Sequence, residues 1–501
     1  LFIARALCYR RPALKLKIAL IFAVLTLVSA NRAFAQNTLS QMRQPATMPV
    51  SDKAVDGAVS GSLANPATPP ARGEFIFGSY GRMGVFTNQL GKEIDDVDVV
   101  SRVPRLAKRP YLELYLGYSK RFSFGEFNAL VTPAIAGDPF HYSGQFRADF
   151  ALRNAYLDIS NIGGAGFFAW AGSRMYRGDD VYLLDFWPLD DLNTLGGGLG
   201  WRYGNGGFGY LELAGQIGAS RVIGSNFFAQ QIQVADNLFG ATEVVVNNRQ
   251  RLIGSFKASY YRTAGKWLAF KLKLYIEGQS IASGAIERRN EVTQTLPGDS
   301  GWVVGGQASV FIQNTRNYLH LAVRHGENLG AYGSLQIPFG LNADGTTLGA
   351  KETLASLSLF TFWWNHLGVV FGGYYRTFQS ARNDEFDNDS KDELAGSLRV
   401  NVAFLSFLQQ SIELSLQRSF PKGINGDLLR QISPAAFKLS LMPTLVSSAE
   451  NFPEFALRLV YTFTATNDDS KYLYVPQDPR YGVRQYHFFG LQAEWLFELR
   501  L

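Results

Sequence analysis

The sequence predicts an all-β protein: a transmembrane antiparallel β-barrel of about 18 strands with its third long loop folded inward. Three observations predict it. Short segments from Glu74 onward alternate apolar and polar residues with period two. The connections between them alternate between long and short. No stretch reaches the ~18 apolar residues that a spanning helix needs. A chain of this kind that crosses a membrane must do so as a closed barrel, because lipid satisfies no backbone hydrogen bonds.

Three regions follow: 1–35, a signal peptide; 36–73, a flexible periplasmic linker or extension; and 74–501, the transmembrane β-barrel porin domain. Arg10, Arg11, Lys15 and Lys17 precede the apolar run from Ile18 to Val28, which is too short to span a bilayer. Ala33-Phe34-Ala35 is an A-x-A cleavage site, so the mature chain is expected to start near Gln36. With Arg5 and Arg32, these cations account for the whole net charge of +6. The mature chain is therefore near neutral, and its basicity gives no support for a nucleic-acid partner. The only cysteine, Cys8, leaves with the signal, so no disulfide or thiolate metal site is expected. The linker is marked by Pro45, Pro49, Pro66, Pro69 and Pro70.

Strands are expected at about 74–87, 110–118, 124–132, 146–159, 167–174, 197–203, 207–217, 250–262, 267–279, 301–313, 317–326, 351–363, 367–378, 392–404, 409–420, 434–446, 453–465 and 486–500. In the ninth, Leu268, Phe270, Leu272, Leu274 and Ile276 alternate with Lys271, Lys273, Tyr275 and Glu277. In the last, Phe489, Leu491, Trp495, Phe497 and Leu499 alternate with Gln492, Glu494, Glu498 and Arg500. Alternation alone suits a soluble sandwich equally well. The connections decide: those after odd-numbered strands are long (218–249, 280–300, 327–350) and those after even-numbered strands short (119–123, 263–266, 314–316). One rim of long loops and one of short turns is the asymmetry of outer-membrane barrels, and an even strand count puts both chain ends on the periplasmic side. The localisation expected is the Gram-negative outer membrane, with lipid and lipopolysaccharide as surroundings.

A barrel this wide encloses an aqueous channel, so something inside must set its selectivity. The third long connection is the candidate. Arg174 to Trp201 gathers cations, carboxylates and aromatic rings, fits no helical or strand period, and stops in glycines. Gly196-Gly197-Gly198-Leu199-Gly200 reads as a bend re-entering the wall; no βαβ unit or Lys-Ser follows to make it a phosphate loop.

Trp170-Ala171-Gly172-Ser173-Arg174-Met175-Tyr176, followed by Asp180-Val181-Tyr182-Leu183-Leu184-Asp185-Phe186-Trp187, resembles the inward-folded third loop of the maltoporin family of sugar channels. Tyr80-Gly81-Arg82, Tyr111-Leu112-Glu113-Leu114 and Leu152-Arg153-Asn154-Ala155 resemble the family's motifs on the first, second and fourth strands. The resemblance implies a homotrimeric channel that passes oligosaccharides, maltodextrin-like or other, over a slide of aromatic rings flanked by a polar track. It makes Tyr80, Tyr111 and Trp187 slide residues, and Arg82, Glu113, Arg153, Arg177, Asp179, Asp180 and Asp185 the polar track. Phe140 and Tyr142 of the second long loop join the slide by covering a neighbouring subunit's entrance. The chain departs from the family in three places. Arg177 is displaced by one position beside Gly178, Asp179 adds a charge, and Leu496-Phe497 replaces paired aromatics on the last strand. The first long loop has no cysteine pair and is expected to be unpinned.

The chemistry suits sugars independently of the resemblance. Aromatic faces contact the C–H faces of a pyranose, while carboxylates and guanidiniums exchange hydrogen bonds with its hydroxyls. Plainer readings exist for the same residues: Trp187 as an interface girdle, Arg82 and Arg153 as ion pairs along the wall, Asp179, Asp180 and Asp185 as solvated loop charge. Asn383 to Glu393 lacks the glycine and terminal-Glu spacing of a calcium loop and reads as an acidic loop meeting lipopolysaccharide-bound cations. His141, His320, His325, His366 and His487 are scattered and form no metal signature. No cofactor, metal or catalytic residue is expected. The alternatives to a sugar channel are a general diffusion porin of the same fold and, further off, a barrel enzyme or surface adhesin.

Overall fold

The computed structural model describes residues 73–501 except 90, 92–96, 105, 107–109, 139–146, 206–208, 221–229, 238–239, 248, 287–293, 314, 316, 334–335, 364–365, 383, 427, 449–452 and 479. The expected signal and linker, and Phe140 and Tyr142, lie outside the described residues. The described strands are β1 (Glu74–Asn88), β2 (Tyr111–Phe122), β3 (Gly125–Asp138), β4 (Arg147–Ile162), β5 (Phe167–Arg177), β6 (Asp191–Asn205), β7 (Gly209–Ser220), β8 (Gln230–Asn237), β9 (Gly240–Asn247), β10 (Arg251–Ala264) and β11 (Leu268–Ile281). There follow β12 (Gly284–Ile286), β13 (Gln294–Leu296), β14 (Asp299–Ile312), β15 (Tyr318–Asn328), β16 (Lys351–Trp363), β17 (Leu367–Gln379), β18 (Lys391–Leu405), β19 (Leu408–Pro421), β20 (Ala435–Val446), β21 (Phe455–Thr466) and β22 (Gln485–Arg500).

β8–β9 and β12–β13 are separate two-stranded hairpins; the other elements form one 18-stranded sheet. Each of its strands pairs antiparallel with its neighbour, and β22 returns to pair with β1 from Ile76↔Arg500 to Asn88↔Phe488. The sheet is thus closed, with no edge for lipid to meet. On β11 the pattern follows the alternation: Phe270, Leu272, Leu274 and Ile276 are exposed, while Lys271, Lys273 and Glu277 are buried. Apolar residues face outward and charges inward, the reverse of a soluble sandwich.

Two strands differ from expectation. β6 begins at Asp191, so the glycine run lies inside a strand. It is no bend. Those glycines make room: a Cβ on Gly198 would lie 2.3 Å from Trp170 Nε1, and one on Gly200 2.3 Å from Phe168 Cζ. The third loop proper is therefore shorter than the sequence suggests, from Gly178 to Asp190. On β4 the pairing with β3 shifts, from Thr132↔Asn154 to Pro133↔Leu152. This bulge leaves Arg153 as the extra residue. A bulge re-aims a side chain that strict alternation would point elsewhere.

The third loop crosses the lumen. Val181, Leu184 and Phe186 pack against Leu354, Tyr374, Ala395 and Ala436 of β16, β17, β18 and β20. Tyr182 and Leu183 pack with Tyr318, Phe360 and Val370. The wall has glycines where the loop presses closest: a Cβ on Gly372 would meet Val181 Cγ1 at 2.7 Å, and one on Gly305 would meet Leu189 Cδ2 at 2.5 Å. The first long loop is also held inside, contrary to expectation. Polar bonds do what a disulfide was thought necessary to do. Asp98 pairs with Lys438 at 2.6 Å and accepts from Gln417 at 2.7 Å. Ser101 donates through its backbone N–H (2.9 Å) and Oγ (2.6 Å) to Glu393. Val99 and Val100 then join the apolar cluster around Phe186.

Candidate functional site

The first and third loops fill the lumen beside β16–β20, and a cavity of about 740 Å³ remains beside β1–β7. Strand parity builds its floor. Tyr80 lies opposite Glu113 and Arg82 opposite Tyr111 in the β1–β2 register, so the four inward side chains form one tile. The Tyr80 and Tyr111 rings lie 6.0 Å apart and tilted. Two guanidiniums flank Tyr111, Arg82 at 5.6 Å and Arg153 at 5.4 Å from the ring centroid. Glu113 is buried. It accepts from the Tyr111 and Tyr115 hydroxyls and pairs with Arg153. A buried carboxylate needs such a set of donors. Tyr80 donates to Glu494 at 3.2 Å, which also pairs with Arg458 at 2.7 Å.

The loop supplies the facing wall. Gly178 N–H donates to the Asp190 carbonyl at 3.0 Å, and Val181 N–H to that of Phe186 at 2.9 Å, closing a small inner hairpin. Asp185 takes a left-handed backbone, φ +53°, at its turn, a conformation Asp tolerates better than most residues. Its carboxylate lies 3.8 Å from the Arg82 guanidinium. The Arg177 guanidinium sits 3.8 Å from the Trp187 ring centroid and donates to Asp191 at 2.7 Å. Trp187 is half-buried, and its indole N–H has no acceptor among the described residues.

Asp179 and Asp190 tie the ends of the loop to the wall instead of lining the cavity. Asp179 is buried, pairs with Lys271 at 3.0 Å and Lys273 at 3.5 Å, and accepts from Gln307 at 2.7 Å. Asp190 lies 3.6 Å from Lys273. Burial works against ionisation of Asp179, but Lys271 and Lys273 outweigh it and hold the carboxyl well below its ordinary 3.8.

Of the residues singled out in the sequence, Tyr80, Arg82, Tyr111, Glu113, Arg153, Arg177, Asp180, Asp185 and Trp187 all border this one cavity. Arg82 and Arg153 are ion-paired and line the cavity at the same time. Asp149, where the fourth-strand motif begins, and Asp191 also line the cavity, and the sequence reading gives neither a place in the polar track. The sequence places Asp191 in the loop, and its pairing with Arg177 emerges only once β6 starts there. On β22, Leu496 stands opposite Tyr80 in the register, while Phe497 packs with Phe77 at 6.1 Å. The positions where the resemblance implies paired aromatics thus hold Leu496 opposite Tyr80 and Phe497 against Phe77. In the acidic stretch 383–393, Asp387 is buried and accepts from the Ser380 hydroxyl at 2.8 Å, organising its own loop. No group of three metal-ligating side chains occurs among the described residues.

Solved structures similar to the barrel include Acinetobacter baumannii OccAB4, at 11% identity and TM-score 0.40, covering 87% of this chain and 100% of that one. Pseudomonas aeruginosa OprD is similar at 9% identity and TM-score 0.39, covering 88% and 97%. Vibrio cholerae OmpT is similar at 9% identity and TM-score 0.37, covering 86% and 99%. No curated protein matches the chain. The family model of the LamB porins, described as LamB porin, matches residues 75–496. With its closed barrel, inward loop and lined cavity, the chain is an outer-membrane porin that belongs to the LamB porin family.

Proposed function

We propose that this porin is a carbohydrate-selective channel for facilitated diffusion of oligosaccharides, working as a homotrimer. The observation that carries the reading is the composition of the cavity wall. Tyr80, Tyr111 and Trp187 bring aromatic faces to one cavity that Arg82, Arg153, Asp180 and Asp185 also line. A pyranose offers apolar C–H faces and a hydroxyl rim, and this wall answers both. Each contact is weak, and several in series let a solute enter and leave. The cavity's volume of about 740 Å³ suits a few sugar units at a time. Asp179 serves this function indirectly, by holding the loop that carries Trp187. Phe140 and Tyr142 remain proposed contributors from the second long loop.

The test is sugar block of ion current through the purified protein in a planar bilayer. A neutral oligosaccharide should close the current in a saturable, concentration-dependent way. Conductance unblocked by every sugar tried would favour a general diffusion pore. Absence of conductance would turn attention to a barrel enzyme or adhesin.

A further inference from the structure

The outward face of the barrel carries a concavity of its own. A groove of about 950 Å³ lies across β16–β20, and the strand register builds it. Gly373 of β17 stands beside Gly396 of β18, and Gly396 beside Leu416 of β19. Both glycines share the outward parity of the exposed Tyr375 and Leu394. Two neighbouring strands thus present no side chain to lipid at one height. A Cβ on Gly396 would meet nothing nearer than the Phe371 ring edge at 3.8 Å, so the hollow is open there.

Two residues nearer the long-loop rim, Tyr375, Leu394 and Arg418 stand in register on β17, β18 and β19. Arg418 is exposed while Gln417 and Ser419 on either side of it are buried, so it points outward. Its guanidinium donates to the Ser433 hydroxyl at 3.0 Å and lies 4.7 Å from the Phe420 ring centroid. It meets no carboxylate among the described residues. Lys351 and Lys422, by contrast, pair with Glu327 and Asp392. A lipid-facing cation is costly among acyl chains and favourable where it meets a phosphate.

The groove also has a direction. Leu414 is level with Phe371 through Leu398, and from Arg418 down to Leu414 the strand runs about 13 Å. That is less than half of a hydrocarbon core of about 30 Å, so the groove stays within one leaflet. The leaflet is the outer one, because Arg418 lies toward the 422–434 connection and Leu414 toward the short turn between Leu405 and Leu408. The groove is charged at the headgroup end and apolar beneath.

We propose that this groove binds lipid A, the acylated and phosphorylated anchor of lipopolysaccharide, with a phosphate on Arg418 and an acyl chain over Gly373 and Gly396. A zwitterionic phospholipid carries its own ammonium beside its phosphate and gains less from Arg418. The site lies outside the pore and is independent of whether the pore selects sugars.

The test is native mass spectrometry of the purified protein, stripped of lipid in detergent with EDTA and titrated with bisphosphorylated lipid A or with phosphatidylethanolamine. Wild type should hold lipid A about fivefold more tightly than Arg418→Gln, the scale of one basic side chain at an anionic membrane surface. Phosphatidylethanolamine should bind the two alike. Gly396→Leu, which fills the hollow, should weaken lipid A binding by as much or more. Heat resistance on gels checks that each variant is folded. Equal lipid A affinity in wild type and Arg418→Gln, or in wild type and Gly396→Leu, overturns the proposal. Loss of oligomers in Gly396→Leu with lipid affinity unchanged also overturns it, and makes the groove an interface between copies of this chain.

Discussion

At the scale of single residues, the cavity combines rings that need exposure with charges that need partners. Trp187 is the clearest case of the first. Removing its ring by Trp187→Ala should weaken sugar block by about 1–3 kcal/mol, on the scale of base stacking against aromatic side chains, and should raise ion conductance by widening the cavity. Unchanged affinity would take Trp187 out of the slide. Glu113 is the clearest case of the second, being buried at the centre of Tyr111, Tyr115 and Arg153. Glu113→Ala leaves Arg153 without its nearest counter-charge and should cost about 3 kcal/mol or more, read as lost heat resistance of the folded barrel on gels. Glu113→Gln keeps one acceptor oxygen for the tyrosine hydroxyls and should cost less. Much of this was legible in the sequence. Alternation puts Tyr80, Arg82, Tyr111 and Glu113 on one face. Arg153 was legible only through the family motif, because a bulge places it in the lumen and a bulge breaks the parity that sequence reading relies on.

At the scale of elements, two loops held by different means shape the pore. The third loop is tied by Asp179 and Asp190 to Lys271 and Lys273, then packed by Val181, Leu184 and Phe186. Asp179→Asn should loosen that tie and appear as increased flicker in single-channel current, with a smaller loss of sugar affinity than Trp187→Ala. The pH dependence has a definite sign. The Asp179 carboxyl is held below its unfolded value, so its contribution is complete above about pH 4 and disappears only as pH falls through the depressed value. The wild-type loop should therefore stay quiet from about pH 7 to about pH 5, whereas Asp179→Asn should flicker throughout. Flicker in wild type that begins near pH 5 would contradict the tie. The first loop depends on Glu393, Lys438 and Gln417. Glu393→Ala should release it and raise conductance without removing the Trp187 contact. The sequence did not show this anchoring. Asp98 and Ser101 meet partners some 300 residues away, and no local pattern marks such long-range bonds. The glycine run in β6 was misread for a related reason. Its glycines answer to Trp170 and Phe168 on the neighbouring strand, which their own segment does not reveal.

At the scale of the whole molecule, the barrel was the most legible feature. Strand count, the order of long and short connections, and the outward apolar face all follow from a period of two and from the need to leave no backbone unpaired in lipid. Most strand ends fall within a few residues of expectation; β6 begins earlier because Asp191, Asn193 and the glycine run read as loop. The filling of the lumen was only half legible, as one inward loop in place of two. That asymmetry leaves the lined cavity beside β1–β7, and it makes the central claim about transport testable on the intact protein. The most direct measurement is titration of a neutral oligosaccharide against ion current through wild type and Trp187→Ala in a planar bilayer. The account predicts saturable block in wild type, with a half-blocking concentration that rises about tenfold or more in the variant, equivalent to about 1.4 kcal/mol or more. Current that no sugar reduces in wild type would contradict it.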